Sequence, residues 1–238
     1  MGMVFFAAVI FLAAVVQSVT GFGFALVAMA VLPGMIGLQM AAPLVAVVGI
    51  LNSAILWIYY RRGFDPKIVS RLVLGTLLTI PLGIFLLRRL PETIALTVLG
   101  ILITTYAVYV LAGLMLPALR SPWWAYLFGA IAGLTSGAYS VGGPPVVIYG
   151  QCCRWSPTAF RSNLPAFFFI NAIGVVTGHG LQGNLTPEVL RMGAIAVLPL
   201  VIGIAIGTWI AQNLNPKLFQ RVVLILLIIT GLKLILAH

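Results

Sequence analysis

Apolar residues run along this chain in long stretches, cut by short polar or proline-containing breaks. A helix that crosses the roughly 30 Å hydrocarbon core of a bilayer needs about 20 predominantly apolar residues. On that rule uninterrupted spans fall at 38–60, 67–87, 92–117, 157–180, 188–211 and 216–236. Two further apolar segments, 3–33 and 122–151, are interrupted. The first breaks at Gln17-Ser18-Val19-Thr20-Gly21-Phe22-Gly23. The second breaks at Thr135-Ser136-Gly137-Ala138-Tyr139-Ser140-Val141-Gly142-Gly143-Pro144-Pro145. Small and hydroxyl residues clustered inside greasy helix predict a broken helix at each place. Residues 3–17 would rise only about 22 Å as a helix, short of the hydrocarbon thickness. Non-helical backbone at that depth is tolerated only where protein buries it or water reaches it. The breaks are therefore expected to face each other at the centre of the protein.

These landmarks recur in order. Gly23 precedes Asn52 by 29 positions, and Gly142 precedes Asn171 by the same 29. Asp65-Pro66 opens one span and Thr186-Pro187 its counterpart, and Pro81 and Pro199 interrupt the two. Leu90-Pro91-Glu92 and Asn215-Pro216-Lys217 then open the last span of each half. A capping Asp, Thr or Asn followed by Pro at the first helical position is a helix-start signal. The ordered set predicts an internal duplication, with repeats 1–119 and 120–238. A broken segment at corresponding positions of two repeats is the best sequence pointer to a transporter binding site.

Composition settles the class. Of 238 residues 62% are hydrophobic and 7% charged, and the mean hydropathy is +1.19. A soluble domain carries about 25% charged residues, so a soluble enzyme or nucleic-acid binder is excluded. The expected fold is an all-α integral membrane protein of about eight hydrophobic segments. The net charge of +10 comes from basic residues standing singly or in pairs between apolar stretches, the pattern of topology-setting charges. Met1 to Tyr60 holds no Lys or Arg, so the basic start of a signal peptide is not expected. The adjacent Cys152 and Cys153 suggest no disulfide framework.

The charges also bear on how the halves are related. If each broken segment simply crosses the membrane, the Lys and Arg divide about seven to six and orient nothing. If each dips in and returns, Arg61, Arg62, Lys67, Arg71, Arg120, Arg154, Arg161, Lys217 and Arg221 share one side. Arg88, Arg89, Arg191 and Lys233 share the other. That bias predicts inverted repeats with both termini outside.

A helix starting after each break leaves backbone N–H groups free at its positive end, which suits an anion. The candidate donors lie around Phe22, Gly23 and Phe24, with Gly21 beside them, and around Val141, Gly142 and Gly143. Gln17, Ser18, Thr20, Thr135, Ser136, Tyr139 and Ser140 add side-chain donors. Close helix packing by small residues is the competing explanation. Asn52 and Asn171 lie mid-span, where an amide needs a partner or a site. Arg161 stands near the start of its span, as a headgroup anchor, an anion-attracting charge at the mouth, or a ligand. His179 reads as an interface residue rather than a proton relay, and Trp123, Trp124 and Tyr126 as an interfacial belt. Asp65, Glu92 and Glu188 are the only acids, each at a span boundary. An acid within the bundle, usual in proton-coupled pumps, is therefore missing.

The broken first segment, the repeat near 120 residues and the Gly-Gly-Pro-Pro after Tyr139-Ser140 resemble the sulfite exporter TauE/SafE family, also called the toluene-sulfonate uptake permease family. The resemblance spans essentially the whole chain. It implies movement of small sulfur-containing anions, such as sulfite, sulfoacetate or other organosulfonates, across the bacterial cytoplasmic membrane. The glycine-rich breaks match the family's pattern, as does a basic residue at Arg161. Ala42-Pro43 stands in the corresponding region of the first half, without a basic counterpart. The expected partners are that anion and membrane lipids, with no nucleic acid, no cofactor and no metal. A homo-oligomer is compatible with the pattern. The rival readings are an anion channel and an intramembrane serine hydrolase built on Ser136 and His179, which lacks the Gly-x-Ser-x-Gly spacing.

Overall fold

Prolines and capping side chains set where the helices begin. The computed structural model describes residues 2–114, 116–213 and 216–236, and all regular structure among them is helical. The helices are α1 (Gly2–Thr20), α2 (Phe24–Val31), α3 (Pro33–Ile36), α4 (Leu38–Tyr60), α5 (Pro66–Arg89), α6 (Glu92–Leu111), α7 (Trp123–Tyr139), α8 (Gly143–Cys152), α9 (Pro157–Leu181), α10 (Pro187–Asn213) and α11 (Pro216–Leu236). Among the described residues seven helices are long and apolar enough to cross a membrane: α1, α4, α5, α6, α9, α10 and α11. Asp65 caps α5, its carboxylate accepting from the N–H groups of Lys67 and Ile68 at 2.9 and 3.2 Å. The Thr186 hydroxyl accepts from Val189 N–H at 3.3 Å at the start of α10. Both are the caps that the Asp-Pro and Thr-Pro pairs predict. α11 begins at Pro216 as expected, while Asn215 lies outside the described residues.

Three boundaries correct the sequence reading. The span expected to reach residue 117 ends at Leu111, because Gly113 takes a left-handed φ of 62°, a common helix terminator. α1 runs on through Gln17, Ser18, Val19 and Thr20, and α7 through Thr135, Ser136 and Tyr139. Hydroxyls explain both extensions: Ser18, Thr20 and Thr135 donate back to the carbonyls of Ala14, Val16 and Ile131 one turn earlier. The breaks proper shrink to Gly21–Gly23 and Ser140–Gly142.

Helix pairing is tight where glycines line the seam. A Cβ on Gly75 would collide with the backbone at Tyr126 and Ala130, and one on Gly83 with that at Leu134 and Ala138. α5 and α7 therefore pack backbone to backbone and run in the same direction. Thr76 and Thr79 donate across this seam to the carbonyls of Gly129 and Ala130, at 2.9 and 2.6 Å. Such small-residue contacts are the usual glue of membrane helices. α1 and α10 repeat the arrangement, with Gly203 against Phe11 and Ala14, and Gly207 against Val15 and Ser18. α6 and α11 run antiparallel, Gly100 facing Leu234 and Ile235 while Gly231 faces Thr104. α4 and α9 are antiparallel too: Ser162 donates to the Tyr60 carbonyl at 2.6 Å, and Trp57 stacks near Phe169. Leu78, Leu198 and Trp209 point outward, 82%, 70% and 64% exposed. Large apolar side chains so exposed belong in lipid.

Candidate functional site

The two breaks open onto one cavity between α4 and α9. It offers about 50 Å³ to the centres of water molecules, several times the roughly 10–15 Å³ that one water needs. From the first break Gln17, Gly23, Phe24, Ala25 and Leu26 line it, and from the second Ser140, Val141, Gly142 and Gly143. α4 contributes Gly49 and Ser53, and α9 contributes Phe168, Asn171 and Ala172. The facing of the breaks expected from the sequence is what the structure contains.

The first break is shaped by glycine. Gly21 and Gly23 take φ of 86° and 104°, values that side-chain-bearing residues rarely adopt. Gln17 reaches across the gap, and its Oε1 accepts from Phe24 N–H at 3.2 Å. The next N–H groups, of Ala25 and Leu26, lie in the first turn of α2 and have no intrahelical partner. The Gln17 Nε2 is buried without a hydrogen-bond partner. The second break turns on Ser140 at φ 57°, and its hydroxyl donates to the Ala42 carbonyl of α4 at 2.7 Å. Pro144 and Pro145 follow in the first turn of α8 and carry no N–H. Gly142 and Gly143 are left as the donors at that helix start. Asn171 donates its Nδ2 to Ser136 Oγ at 3.0 Å, and its Oδ1 is buried with no partner.

Several expected site residues lie elsewhere, for identifiable reasons. Ser18 packs against Gly207 of α10. The Thr20 hydroxyl stays within its break, 2.6 Å from the Phe22 carbonyl, and accepts from Phe22 N–H at 3.4 Å. Phe22 therefore has no free donor, and its ring meets Tyr106 edge-on at 5.9 Å. Gly21 N–H is taken by the Gln17 carbonyl at 2.7 Å. Thr135 bonds within its own helix, and Tyr139 is buried in the apolar core. Ser136 does not line the cavity itself; its hydroxyl accepts from Asn171, which does. Asn52 is fully buried, but neither end of its amide has a partner, and it does not line the cavity. Its neighbour Ser53 takes that place and was missed; the one signal for it was a hydroxyl beside a mid-span amide.

Arg161 is not brought to the cavity either. It is exposed at the end of α9, with its guanidinium 5.9 Å from the Tyr60 ring centre. It shares a surface recess with Arg62, Tyr59 and Thr158. At the opposite end of α9, His179 is buried, with Nδ1 2.9 Å from Asn184 Nδ2. Asn184 also accepts from Arg88 at 2.8 Å. His179 lies eight residues past Asn171, roughly 12 Å along a helix, so it cannot act on Ser136, which Asn171 holds. Cys152 and Cys153 are both free thiols. Among the described residues no cluster of His, Cys, Asp or Glu could hold a metal.

Residues 6–234 match the family model described as Sulfite exporter TauE/SafE. The chain is 29% identical over 231 residues to the "Probable sulfite/organosulfonate exporter TauE" of Cupriavidus necator, a match covering 92% of this chain and 88% of that protein. No solved structure matches.

Proposed function

The chain belongs to the sulfite exporter TauE/SafE family, and from that premise we propose that it exports small sulfur-containing anions across the bacterial cytoplasmic membrane. Sulfite, sulfoacetate and other organosulfonates are the candidate substrates. The anion sits between the N-termini of α2 and α8, held by N–H groups of Ala25, Leu26, Gly142 and Gly143, with Gln17, Ser53 and Asn171 beside it. The observation that carries this reading is that two helix N-termini open onto one water-sized cavity inside a membrane fold. Each end carries partial positive charge suited to an anion.

The two halves, 1–119 and 120–238, work as inverted repeats, each beginning with a segment that dips in and returns. Helix directions support this. α7 runs with α5 and α10 with α1, whereas α9 opposes α4 and α11 opposes α6. If short turns reverse direction between successive long helices, α4 runs the same way as α1, so α2 and α3 must bring the chain back. Each helix of one half then has its counterpart pointing the opposite way in the other, and both termini lie outside. Rocking of one repeat against the other gives alternating access around the cavity.

The acids support uncoupled efflux. Asp65 is spent capping α5, and Glu92 accepts from Leu38 N–H at 2.9 Å at the start of α4. Glu188 lies in the first turn of α10. None is placed as a proton relay, and an inside-negative potential of 100 mV drives a monoanion outward with about 2.3 kcal/mol. The test is reconstitution into sealed vesicles, with potential and pH gradient set independently and a permanently charged sulfonate as substrate. Saturable, potential-driven movement is expected. Movement that follows the pH gradient at zero potential overturns the uncoupled mechanism, and single-channel currents replace the carrier with a channel.

A further inference from the structure

We propose that the central cavity selects by charge state: it accepts a small oxyanion bearing one negative charge, such as hydrogensulfite or a short sulfonate, and rejects dianions such as sulfite itself and sulfate. This rests on the functional reading above and narrows it, making sulfoacetate, whose carboxylate adds a second charge, a poor ligand.

The electrostatic balance points this way. No Lys, Arg or His lines the cavity. Its positive charge comes from the N-termini of α2 and α8, each equivalent to about half an elementary charge. Their sum matches one negative charge and leaves half of a dianion uncompensated. Desolvation grows as the square of charge, so a dianion loses about four times as much hydration energy on entering. The species that needs the most compensation would receive the smallest share of it.

The polar side chains agree. Gln17 and Asn171 are 4% and 6% exposed and both line the cavity. Each has one amide atom without a partner, Nε2 of Gln17 and Oδ1 of Asn171. The other ends are committed, Gln17 Oε1 to Phe24 N–H and Asn171 Nδ2 to Ser136. The unpartnered pair is thus one donor and one acceptor. The donor suits an anionic oxygen. The acceptor repels a second unprotonated oxygen and suits a proton on the ligand or its uncharged end. A cavity holding only a few waters' worth of space admits a headgroup with one small substituent.

The test uses the full chain, purified in detergent or nanodiscs, with methanesulfonate and sulfate as a pair of similar shape and different charge. Methanesulfonate should bind, and sulfate about a hundredfold more weakly, or about 2.7 kcal/mol. Sulfite is then titrated across its second ionisation, which lies near neutral pH. Its apparent affinity should fall about tenfold per pH unit above that point, as the competent monoanion becomes a minor fraction. Methanesulfonate affinity should stay flat, because no titratable side chain lines the cavity. Sulfate binding within tenfold of methanesulfonate overturns the inference, as does sulfite affinity that holds or rises with pH. If none of the three binds at any pH, the functional reading itself falls, and the inference with it.

Discussion

The two breaks meet at the same cavity but are constructed differently. In the first, two positive-φ glycines make the turn, and Gln17 leans over from the preceding helix to cap Phe24. In the second, a single non-glycine residue, Ser140, takes the left-handed turn, and its hydroxyl ties it to the Ala42 carbonyl. Two prolines then stiffen the start of α8 and leave only Gly142 and Gly143 as its donors. One break is glycine-formed and side-chain capped; the other is pinned and proline-braced. The mid-span amides diverge in the same way. Asn171 lines the cavity on a Ser136 partner, whereas Asn52, at the same spacing from its own break, is sealed in the bundle without one. What the two breaks share is a helix start that opens onto one cavity, reached with different residues.

Substitutions that separate the halves should sharpen this contrast, and the largest effect is expected at Gly142. Its φ is ordinary at −89°, but a Cβ there would collide with Ser136 Oγ and crowd the Ala132 carbonyl. The missing side chain serves the packing of α7 against α8, separately from the N–H that Gly142 offers at the cavity. Gly142→Val should lower stability by roughly 1–3 kcal/mol or more through overpacking, seen as a clear fall in thermal unfolding temperature. Gly143→Ala meets only the Phe168 ring, at 3.6 Å, and should leave that temperature unchanged. Equal loss in the two variants would erase the distinction between the positions.

The paired amides come next. Asn171→Leu removes the free Oδ1 acceptor, so it should weaken binding of hydrogensulfite, whose proton that oxygen takes, about ten- to hundredfold and leave methanesulfonate nearly unchanged. Asn52→Leu should leave affinity within about twofold, and should raise thermal stability because it removes a buried, unpartnered amide worth about 1–3 kcal/mol of desolvation. An affinity loss in Asn52→Leu matching that of Asn171→Leu would make the halves functionally symmetric after all. Gln17→Met removes both the cap of α2 and the free Nε2, and about a tenfold loss of affinity is expected by isothermal titration. The second half, whose first turn needs no side-chain cap, has no equivalent lesion.

The smallest effect belongs to Arg161. It sits at the end of α9 beside Arg62 and Tyr60, so Arg161→Gln should leave equilibrium affinity intact and slow anion association a few-fold at low salt. Charge steering of this kind fades as the Debye length shrinks to about 8 Å at physiological ionic strength. A salt-independent loss of affinity would mean that Arg161 reaches the anion in another conformation.

Much of the architecture was legible from the chain alone. Spans 38–60, 157–180 and 188–211 fall within two residues of helices α4, α9 and α10, because a bilayer demands long apolar runs and, for α9 and α10, Pro after a capping Ser or Thr marks the start. The breaks were visible as well, but drawn too wide. Ser18, Thr20, Thr135 and Ser136 look like helix breakers in sequence, yet three of them simply return their hydroxyls to their own helix and Ser136 takes Asn171 as its partner. A hydroxyl's choice between its own backbone, a neighbouring helix and a ligand leaves no mark on the local pattern.

The sequence by itself therefore determined the solvent, the number and length of apolar segments, their caps, and the two points where helix must fail. Those are local matters of hydropathy and backbone chemistry. Only the tertiary structure decided that Asn171 and Ser53 face the cavity while Asn52 does not, that Gly142 serves Ser136, and that Arg161 stays at the rim. Each of these depends on which face of a helix meets which neighbour. Along spans that are apolar all round, periodicity carries little information about facing; contacts such as Gly174 and Gly178 of α9 against Leu77 and Ile84 of α5, and Gly193 of α10 against Val47 of α4, set the rotation instead.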